Sequence, residues 1–323
     1  MDTEDKILKL LPSKWRAPIV ITAGVFLQFT LGLVYTFGNI LPYLTSYIRW
    51  KVDPQQTQGS LIWLQSLMTG FPFSMLTGGY LQRLLGARWG AAFGFLLYTG
   101  SLGLSYFSIQ NSYFLLIVTM GLFASFGIGV AYNCVLIQCQ KWLPHRVGLV
   151  SGLVTAGFGS GAFIISPVQT KFINPENLNV NEEGYFTQTE LLERIPQLFI
   201  LLAIIFGIIQ FIGLFFLADP YFMMKKKKII IILMKTILIK DNLFFYCLEA
   251  YGQTFIHDDF FLATVNSFAA ATNCFSRIFW GAFADHASYR LTMTIACSLG
   301  AALMWTLGLV ELIVVNHTGM SWV

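Results

Sequence analysis

The residue in this chain with the clearest chemical potential is Arg277, a permanent cation inside an apolar segment. It is the only charged residue between positions 260 and 283, and a helix of that length crosses a bilayer's hydrocarbon core of about 30 Å. A guanidinium in that core costs roughly 3 kcal/mol or more unless it faces water or a partner. Two interpretations stay open: Arg277 binds an anion, or its side chain extends along the helix to the membrane surface.

Four more polar side chains interrupt apolar segments and are candidates for substrate contacts. Tyr35 and Asn39 lie in the first segment, and Tyr132 and Asn133 lie in the fourth. Such residues line a polar cavity, or they join neighbouring helices through hydrogen bonds worth about 0.6 kcal/mol each. Spacing alone does not separate these two roles.

The remaining reactive side chains do not form a catalytic or metal-binding pattern. No nucleophile is paired with a base, and the five cysteines are scattered without metal-ligand or disulfide-framework spacing. Nor does any segment combine a basic face with stacking aromatic residues, as a nucleic-acid-binding module would. We therefore predict that the protein is not an enzyme, has no catalytic residues, needs no metal or cofactor, and does not bind nucleic acid.

The composition indicates a membrane protein. Hydrophobic residues make up 56% of the 323 positions and charged residues only 11%, against about 25% charged residues in soluble domains. The 30 phenylalanines and 28 glycines fit helices that pack closely in lipid. The predicted fold class is an all-α, multi-pass membrane protein whose surroundings are the lipid bilayer.

Hydrophobic segments of spanning length are separated by short connections, which predicts antiparallel neighbouring helices. The predicted spans are residues 17–41, 60–81, 89–108, 112–138, 148–170, 195–217, 260–283 and 291–315. If the N-terminus is cytoplasmic, the inner loops hold eight lysines and arginines and the outer loops hold four. This excess predicts a cytoplasmic N-terminus. We expect the plasma membrane in preference to an organelle.

Residues 223–249 break the pattern of apolar spans. Four lysines precede four isoleucines there, and Lys235, Lys240, Asp241 and Glu249 interrupt the apolar stretch. Each central charge adds roughly 2.5–3.5 kcal/mol to membrane insertion. We therefore divide the chain into an N-terminal six-helix bundle (1–217), a cytoplasmic linker with a damaged seventh helix (218–251), and a partial C-terminal bundle holding helices eight and nine (252–323).

Two loops read as copies of one pattern and are candidates for conformational loop motifs. They follow the second span and the eighth span, and Gly79 and Gly281 are 202 residues apart, a plausible half of a two-fold repeated transporter. Both resemble the G-x-L-x-D-x-x-G-x-R loop of the major facilitator superfamily, although an arginine stands at the acidic position of the first copy and a serine replaces the glycine of the second. The matching residues are Gly79, Arg83, Gly86 and Arg88, and then Gly281, Asp285 and Arg290.

A more specific resemblance lies at residues 127–161, where a basic loop precedes a glycine-rich helix. This segment is similar to the helix-four to helix-five region of the monocarboxylate transporter and oxalate–formate antiporter-like branch of that superfamily. The matching residues are Lys141, Trp142, Pro144, Arg146, Gly148, Ser151, Gly152, Gly157, Gly159 and Gly161. Small residues at such intervals let helices approach closely. The resemblance covers about residues 17–220 and 252–315, and it implies a major facilitator fold with a complete N-terminal bundle and an incomplete C-terminal one, about eight or nine spans.

The resemblance also implies a role for Arg277. In this branch, an arginine on helix eight meets the carboxylate of a small organic anion, and a planar guanidinium suits a carboxylate because two donors face two oxygens. Proton-coupled members carry an aspartate four residues earlier, where this chain has Asn273. An amide does not take up a proton, so exchange, uniport or coupling through another residue is expected.

The expected function is secondary-active transport of a small monocarboxylate or dicarboxylate by alternating access. The alternative is a non-transporting form, either a truncated isoform or an incomplete gene model, because helices ten to twelve are not found in these 323 residues. The substrate and the lipid bilayer are the expected partners. The sequence identifies no accessory protein.

Overall fold

The computed structural model describes residues 5–70, 72–181, 183–220 and 259–302. The regular elements within these ranges are helices, so the predicted all-α fold class is confirmed. The predicted damaged seventh helix lies outside the described residues. The last predicted span is described only as far as residue 302.

The helices follow one another with short connections. In chain order they are α1 (Ser13–Lys51), α2 (58–70 and 72–85), α3 (87–111), α4 (Tyr113–Trp142), α5 (Val147–Ile173), α6 (Thr189–Phe216) and the Arg277 helix (Asp259–His286). A short helix, Lys6–Lys9, precedes α1, and residues 289–302 are helical. Among the described residues, five continuous helical stretches are long and apolar enough to cross a membrane, and one of them, Gln58–Asn111, contains both α2 and α3. The six spans predicted between residues 17 and 217 thus correspond to α1–α6.

Two of these helices change their winding along their length. In α1, residues Gly32–Thr36 form a 3₁₀ helix between two α-helical parts. In α4, residues Ile117–Phe123 form a π-helical segment. Tighter or looser turns inside a long helix often mark functional positions, and the 3₁₀ segment carries Tyr35, one of the candidate substrate contacts.

The direction change between α2 and α3 occurs at Gly86. Its φ of 81° and ψ of 167° lie in a region that only glycine adopts readily. Arg88 follows this turn and binds the end of α6, because its Nε donates to the Leu217 carbonyl at 3.1 Å and its Nη2 to the Phe215 carbonyl at 2.8 Å. Gly86 and Arg88 of the first loop motif therefore both have structural roles.

A buried polar cluster joins α1, α3 and α6. Gln210 Nε2 donates to Thr30 Oγ1 at 2.9 Å, and Thr99 Oγ1 donates to Gln210 Oε1 at 2.5 Å. Tyr98 donates its hydroxyl to the Thr30 carbonyl at 3.0 Å. Polar groups in an apolar solvent must find partners within the protein, so these single polar residues join three helices.

The glycines of α5 divide into two faces that contact different helices. Gly157 and Gly161 face α1, where a side chain at Gly161 would overlap the Gly32 backbone. Gly148 and Gly152 face the Arg277 helix, where a side chain at Gly152 would meet the Arg277 carbonyl and the Ile278 Cα. Close backbone approach of this kind is how helices associate in membranes. It makes α5 the support for both sides of the candidate site.

Candidate functional site

Arg277 lies where the Arg277 helix, α1 and α5 meet. Its Nε donates to Asn273 Oδ1 at 2.6 Å, and its Nη2 donates to the Tyr35 hydroxyl at 2.8 Å. Asn273 is four residues earlier, on the same face of the helix. The guanidinium carbon also lies 5.7 Å from the centre of the Tyr35 ring, within the range of a cation–π contact. The half-buried side chain of Arg277 therefore reaches across to α1.

Three aromatic rings line one side of this arrangement. Phe158 of α5 lies between Tyr35 of α1 and Tyr132 of α4, with ring centres 5.1 Å and 5.4 Å apart and edge-to-face geometry in both pairs. This is the favoured geometry for aromatic pairs. The charge of Arg277 is within electrostatic range of the Tyr132 phenol. Two phenol groups and a guanidinium thus converge from three helices.

Helix α5 leaves room for the guanidinium and its amide partner at Gly159. A Cβ added there would lie 3.5 Å from Arg277 Nε and 3.7 Å from Asn273 Oδ1, which is ordinary van der Waals contact. Any side chain larger than alanine would compete with both groups for space. Glycine at this position keeps the backbone of α5 beside the polar pair.

Asn39 is placed apart from Arg277, in a fully buried contact between α1 and α5. Its Nδ2 donates to the Ser166 carbonyl at 3.2 Å and to Gln169 Oε1 at 3.5 Å. Its Oδ1 accepts from Thr170 Oγ1 at 3.0 Å. Both polar atoms of the Asn39 amide are therefore engaged with α5, as expected of a residue that joins two helices.

Asn133 is also placed in a helix contact. Its Nδ2 donates to the Met75 carbonyl at 2.7 Å and so joins α4 to α2. Gly79, a residue of the first loop motif, lies against the same amide, since a Cβ added there would be 3.2 Å from Asn133 Nδ2. The structure brings together Arg277, Asn273, Tyr35 and Tyr132, and it places Asn39 and Asn133 elsewhere.

Asp285 of the second loop motif caps α5. Its Oδ1 accepts from the Gly148 N–H and its Oδ2 from the Leu149 N–H, both at 2.7 Å. Gly281 lies one turn earlier, where a Cβ would overlap the Gly148 carbonyl. A carboxylate at a helix N-terminus satisfies unpaired N–H groups and complements the helix dipole. The Arg277 helix and α5 are thus fastened at this end.

The other loop residues lie at the same end of the molecule. Lys141 forms an ion pair with Asp219 at 2.8 Å, and Trp142 Nε1 donates to the Ala218 carbonyl at 2.8 Å. Arg88 also pairs with Asp5 at 2.8 Å. Three basic residues of the loop motifs have exposed side chains, namely Arg83, Arg146 and Arg290.

Two residues of the site were not identified as contacts from the sequence. Phe158 is one of 30 phenylalanines, and nothing in its spacing separates it from residues that face lipid. Gly159 is one of several small residues in its segment. The signal that both share is their position within the run Gly157–Gly161, where a single bulky ring is surrounded by small residues.

Within the described ranges, no group of three or more histidine, cysteine, aspartate or glutamate side chains is arranged to hold a metal ion. Arg277 contributes a positive charge to the site. What the arrangement offers chemically is a planar cation with phenol and amide neighbours, which suits a small anion with two oxygens.

Comparison with known proteins gives a family and several relatives. The family model of the Major Facilitator Superfamily matches residues 19–323. Apicoplast pyruvate carrier 1 of Toxoplasma gondii is 28% identical over 255 residues, which are 64% of this chain and 46% of that protein. Apicoplast pyruvate carrier 2 of the same organism is 27% identical over 266 residues, 68% of this chain and 40% of the carrier.

A vertebrate relative matches a shorter part of the chain. Monocarboxylate transporter 9 of Gallus gallus is 29% identical over 157 residues, which are 48% of this chain and 29% of that protein. The chain therefore spans less than half the length of each of these relatives.

Proposed function

Because the chain belongs to the Major Facilitator Superfamily, we propose that it is a secondary transporter that carries small carboxylates across a membrane by alternating access. Membership of this family confirms the expected multi-pass membrane protein and places the chain among transporters, not enzymes. Pyruvate carriers and monocarboxylate transporters among the relatives agree with the branch expected from residues 127–161. We propose a small monocarboxylate as substrate, with pyruvate as the first candidate.

The observation that supports this function is the position of the Arg277 guanidinium between two helices. It reaches from its own helix to the Tyr35 hydroxyl of α1 at 2.8 Å, and α5 packs against both helices. A carboxylate that binds this cation would interact with elements that move relative to one another in alternating access. Bidentate pairing would also fix its orientation.

The neighbouring residues complete the proposed site. Tyr35 and Tyr132 provide hydroxyl groups, and Phe158 packs between their rings. Asn273 accepts from Arg277 Nε at 2.6 Å and holds the guanidinium without neutralising it. Asn39 and Asn133 form hydrogen bonds with neighbouring helices, which supports the interpretation that they join helices and do not contact the substrate.

Asn273 also bears on the coupling. The neutral amide of Asn273 neither takes up nor releases a proton. We therefore propose exchange of one carboxylate for another, or uniport, in place of proton-coupled uptake through this pair. Uptake should then respond to carboxylate on the opposite side of the membrane more than to a proton gradient.

Asp285 is proposed to control the end of the pathway at which the loop motifs lie. Its carboxylate binds two N–H groups of α5, so the Arg277 helix stays against α5 while that contact persists. Separation of the two helices at this end requires both hydrogen bonds to break. The basic loop residues at this end favour the cytoplasmic side and thus a cytoplasmic N-terminus; the plasma membrane remains the expected location.

Uptake by the purified chain in liposomes tests the function directly. Arg277→Gln should lower the initial rate of pyruvate uptake about 10- to 100-fold, because hydrogen bonds to charged groups contribute about 1.5–3 kcal/mol. Lys171→Gln, at an exposed cation in the last turn of α5, is the control and should leave the rate unchanged. Equal rates for the wild type and Arg277→Gln would contradict the proposal. Binding of pyruvate without uptake would favour the non-transporting alternative.

A further inference from the structure

A groove of about 420 Å³ runs between α1 and α6, away from the Arg277 site. Its walls include Trp15, Thr22 and Phe26 on α1, and Ile209, Ile212 and Phe216 on α6. The Thr22 hydroxyl is the main polar group among these mostly apolar side chains. An apolar groove of this size fits a hydrocarbon chain better than a charged substrate.

The length of the groove matches one leaflet of a bilayer. From Trp15 to Phe26, α1 rises by roughly 16 Å at 1.5 Å per residue, and half of the hydrocarbon core is about 15 Å. Trp15 is 54% exposed, and tryptophan at the end of a span is typical of the membrane–water interface. The groove therefore begins at the interface and ends near the middle of the membrane.

The groove opens toward lipid. Phe26 is 57% exposed and Ile212 is 53% exposed, and both line it. Neighbouring apolar residues of α6 are exposed as well, as expected of a surface that faces acyl chains. Gly213 allows the two helices to approach here, since an added Cβ would lie 2.7 Å from Leu27 Cδ2.

Exposed positive charges lie near the start of α1, where Arg16 Nη2, one residue after Trp15, donates to the Lys9 carbonyl at 3.4 Å. Within residues 5–16, Lys6, Lys9 and Lys14 are exposed. The Asp5 carboxylate in this segment pairs with Arg88 at 2.8 Å. Lys14 directly precedes Trp15, which lines the groove. A lysine near the membrane surface attracts anionic lipid with about 1 kcal/mol.

We propose that this groove binds one acyl chain of an anionic glycerophospholipid, whose phosphate is bound by Lys9 and Lys14. The apolar walls of the groove suit an acyl chain, and the length of the groove fits an acyl chain that lies within one leaflet. The lysines suit the negative charge of the headgroup. This site is separate from Arg277, and the proposal does not depend on transport. It assigns lipid binding to the surface between the first and sixth helices.

Native mass spectrometry of the full chain, released from mild detergent with added lipid, tests the site. The wild type should retain one phosphatidylglycerol per chain and exchange phosphatidylcholine readily. Lys9→Gln and Lys14→Gln should each weaken phosphatidylglycerol retention about five-fold. Thr22→Trp should abolish retention because the indole fills the groove. Lys171→Gln, at the opposite end of the bundle, and Leu96→Trp, at a 76% exposed position of α3, are the matched controls and should retain the lipid.

Several outcomes would overturn the proposal. Equal retention of the two lipids would exclude recognition of the headgroup, and unchanged retention by Thr22→Trp would exclude the groove. A dimer that dissociates on Thr22→Trp, without retained lipid in the wild type, would identify a second copy of the chain as the occupant. The side chains of Lys9 and Lys14 are exposed, so their variants report on binding even if Thr22→Trp disturbs folding.

Discussion

Two polar residues of α1 make different kinds of contact, one with a charged group and the other with neutral groups. Tyr35 and Asn39 lie four residues apart on α1. Tyr35 meets a half-buried cation on the Arg277 helix, whereas Asn39 meets neutral groups of α5 that are fully buried. The Asn39 amide uses both of its polar atoms within the protein. The Arg277 contact includes a permanently charged guanidinium, which attracts small anions.

The comparison also shows why apolar surroundings alone do not identify function. Both contacts place polar groups in the membrane-spanning part of the chain, where unpaired groups are costly. At Asn39 the cost is removed by neutral hydrogen bonds, so that contact stabilises the fold. At Arg277 the Asn273 amide and the Tyr35 hydroxyl orient a guanidinium that stays charged.

A carboxylate at position 273 should neutralise the contact at Arg277, so that it resembles the neutral contact at Asn39. In Asn273→Asp, the introduced carboxylate would bind the guanidinium and repel an incoming anion, since like charges a few Å apart cost several kcal/mol. Pyruvate uptake at pH 7.5 should fall about 100-fold and rise again on acidification, when that carboxylate is protonated. Asn273→Ala is the control and should show no pH response. Unchanged uptake by Asn273→Asp at pH 7.5 would contradict the proposed role of the pair.

Removing one hydroxyl should weaken the charged contact without removing its cation. Tyr35→Phe keeps the ring against Phe158 and loses the 2.8 Å hydrogen bond with Arg277. We expect pyruvate uptake to fall about ten-fold, because a hydrogen bond to a charged group contributes about 1.5–3 kcal/mol. The melting temperature should stay close to that of the wild type. A fall in melting temperature with unchanged uptake would show that Tyr35 serves packing alone.

The neutral contact should respond in the opposite way. Asn39→Leu removes the hydrogen bonds with Ser166, Gln169 and Thr170 and leaves their polar atoms buried. We expect a loss of about 2 kcal/mol of unfolding free energy, measured by denaturation in mixed micelles. Uptake per folded molecule should be unchanged. If uptake fell instead, with stability preserved, Asn39 would belong to the substrate site.

The smallest effect is expected from a partner of Asn39. Thr170→Val keeps the shape of the side chain and removes the donor to Asn39 Oδ1. The loss of unfolding free energy should be about 0.6 kcal/mol, the mean for hydrogen bonds between membrane helices. Measured together with Asn39→Leu in a double-mutant cycle, it should not add to the larger effect. Full additivity would show that the two residues act separately.

The sequence was sufficient for the fold class, and it pointed to the residue at the centre of the proposed site. Apolar segments of spanning length identified α1–α6, because hydropathy reports directly on the solvent around a helix. Arg277 was evident as a lone charge in such a segment. Its residue type and its position in the segment were enough to make it a candidate for anion binding, without any knowledge of the residues around it.

The residues that contact Arg277, Tyr35 and Asn39 could not be predicted from the sequence. Asn39 and Tyr35 have the same kind of surroundings along the chain, and their different roles depend on which residues of α5 and the Arg277 helix face them. The glycines of α5 were expected to allow close packing, but not that Gly157 and Gly161 would face one helix and Gly148 and Gly152 another. Such assignments depend on contacts between residues more than a hundred positions apart.

The 3₁₀ winding of Gly32–Thr36 has a consequence for the geometry of Tyr35. With three residues per turn, side chains three positions apart eclipse one another, so Tyr35 lies directly in line with Gly32. A Cβ at Gly32 would lie 2.9 Å from the Gly161 Cα and would overlap the Phe158 carbonyl. A single methyl group there would push α1 away from α5 and carry the Tyr35 hydroxyl with it. Glycine at position 32 thus fixes the reach of a phenol one turn away, without touching the phenol or the guanidinium.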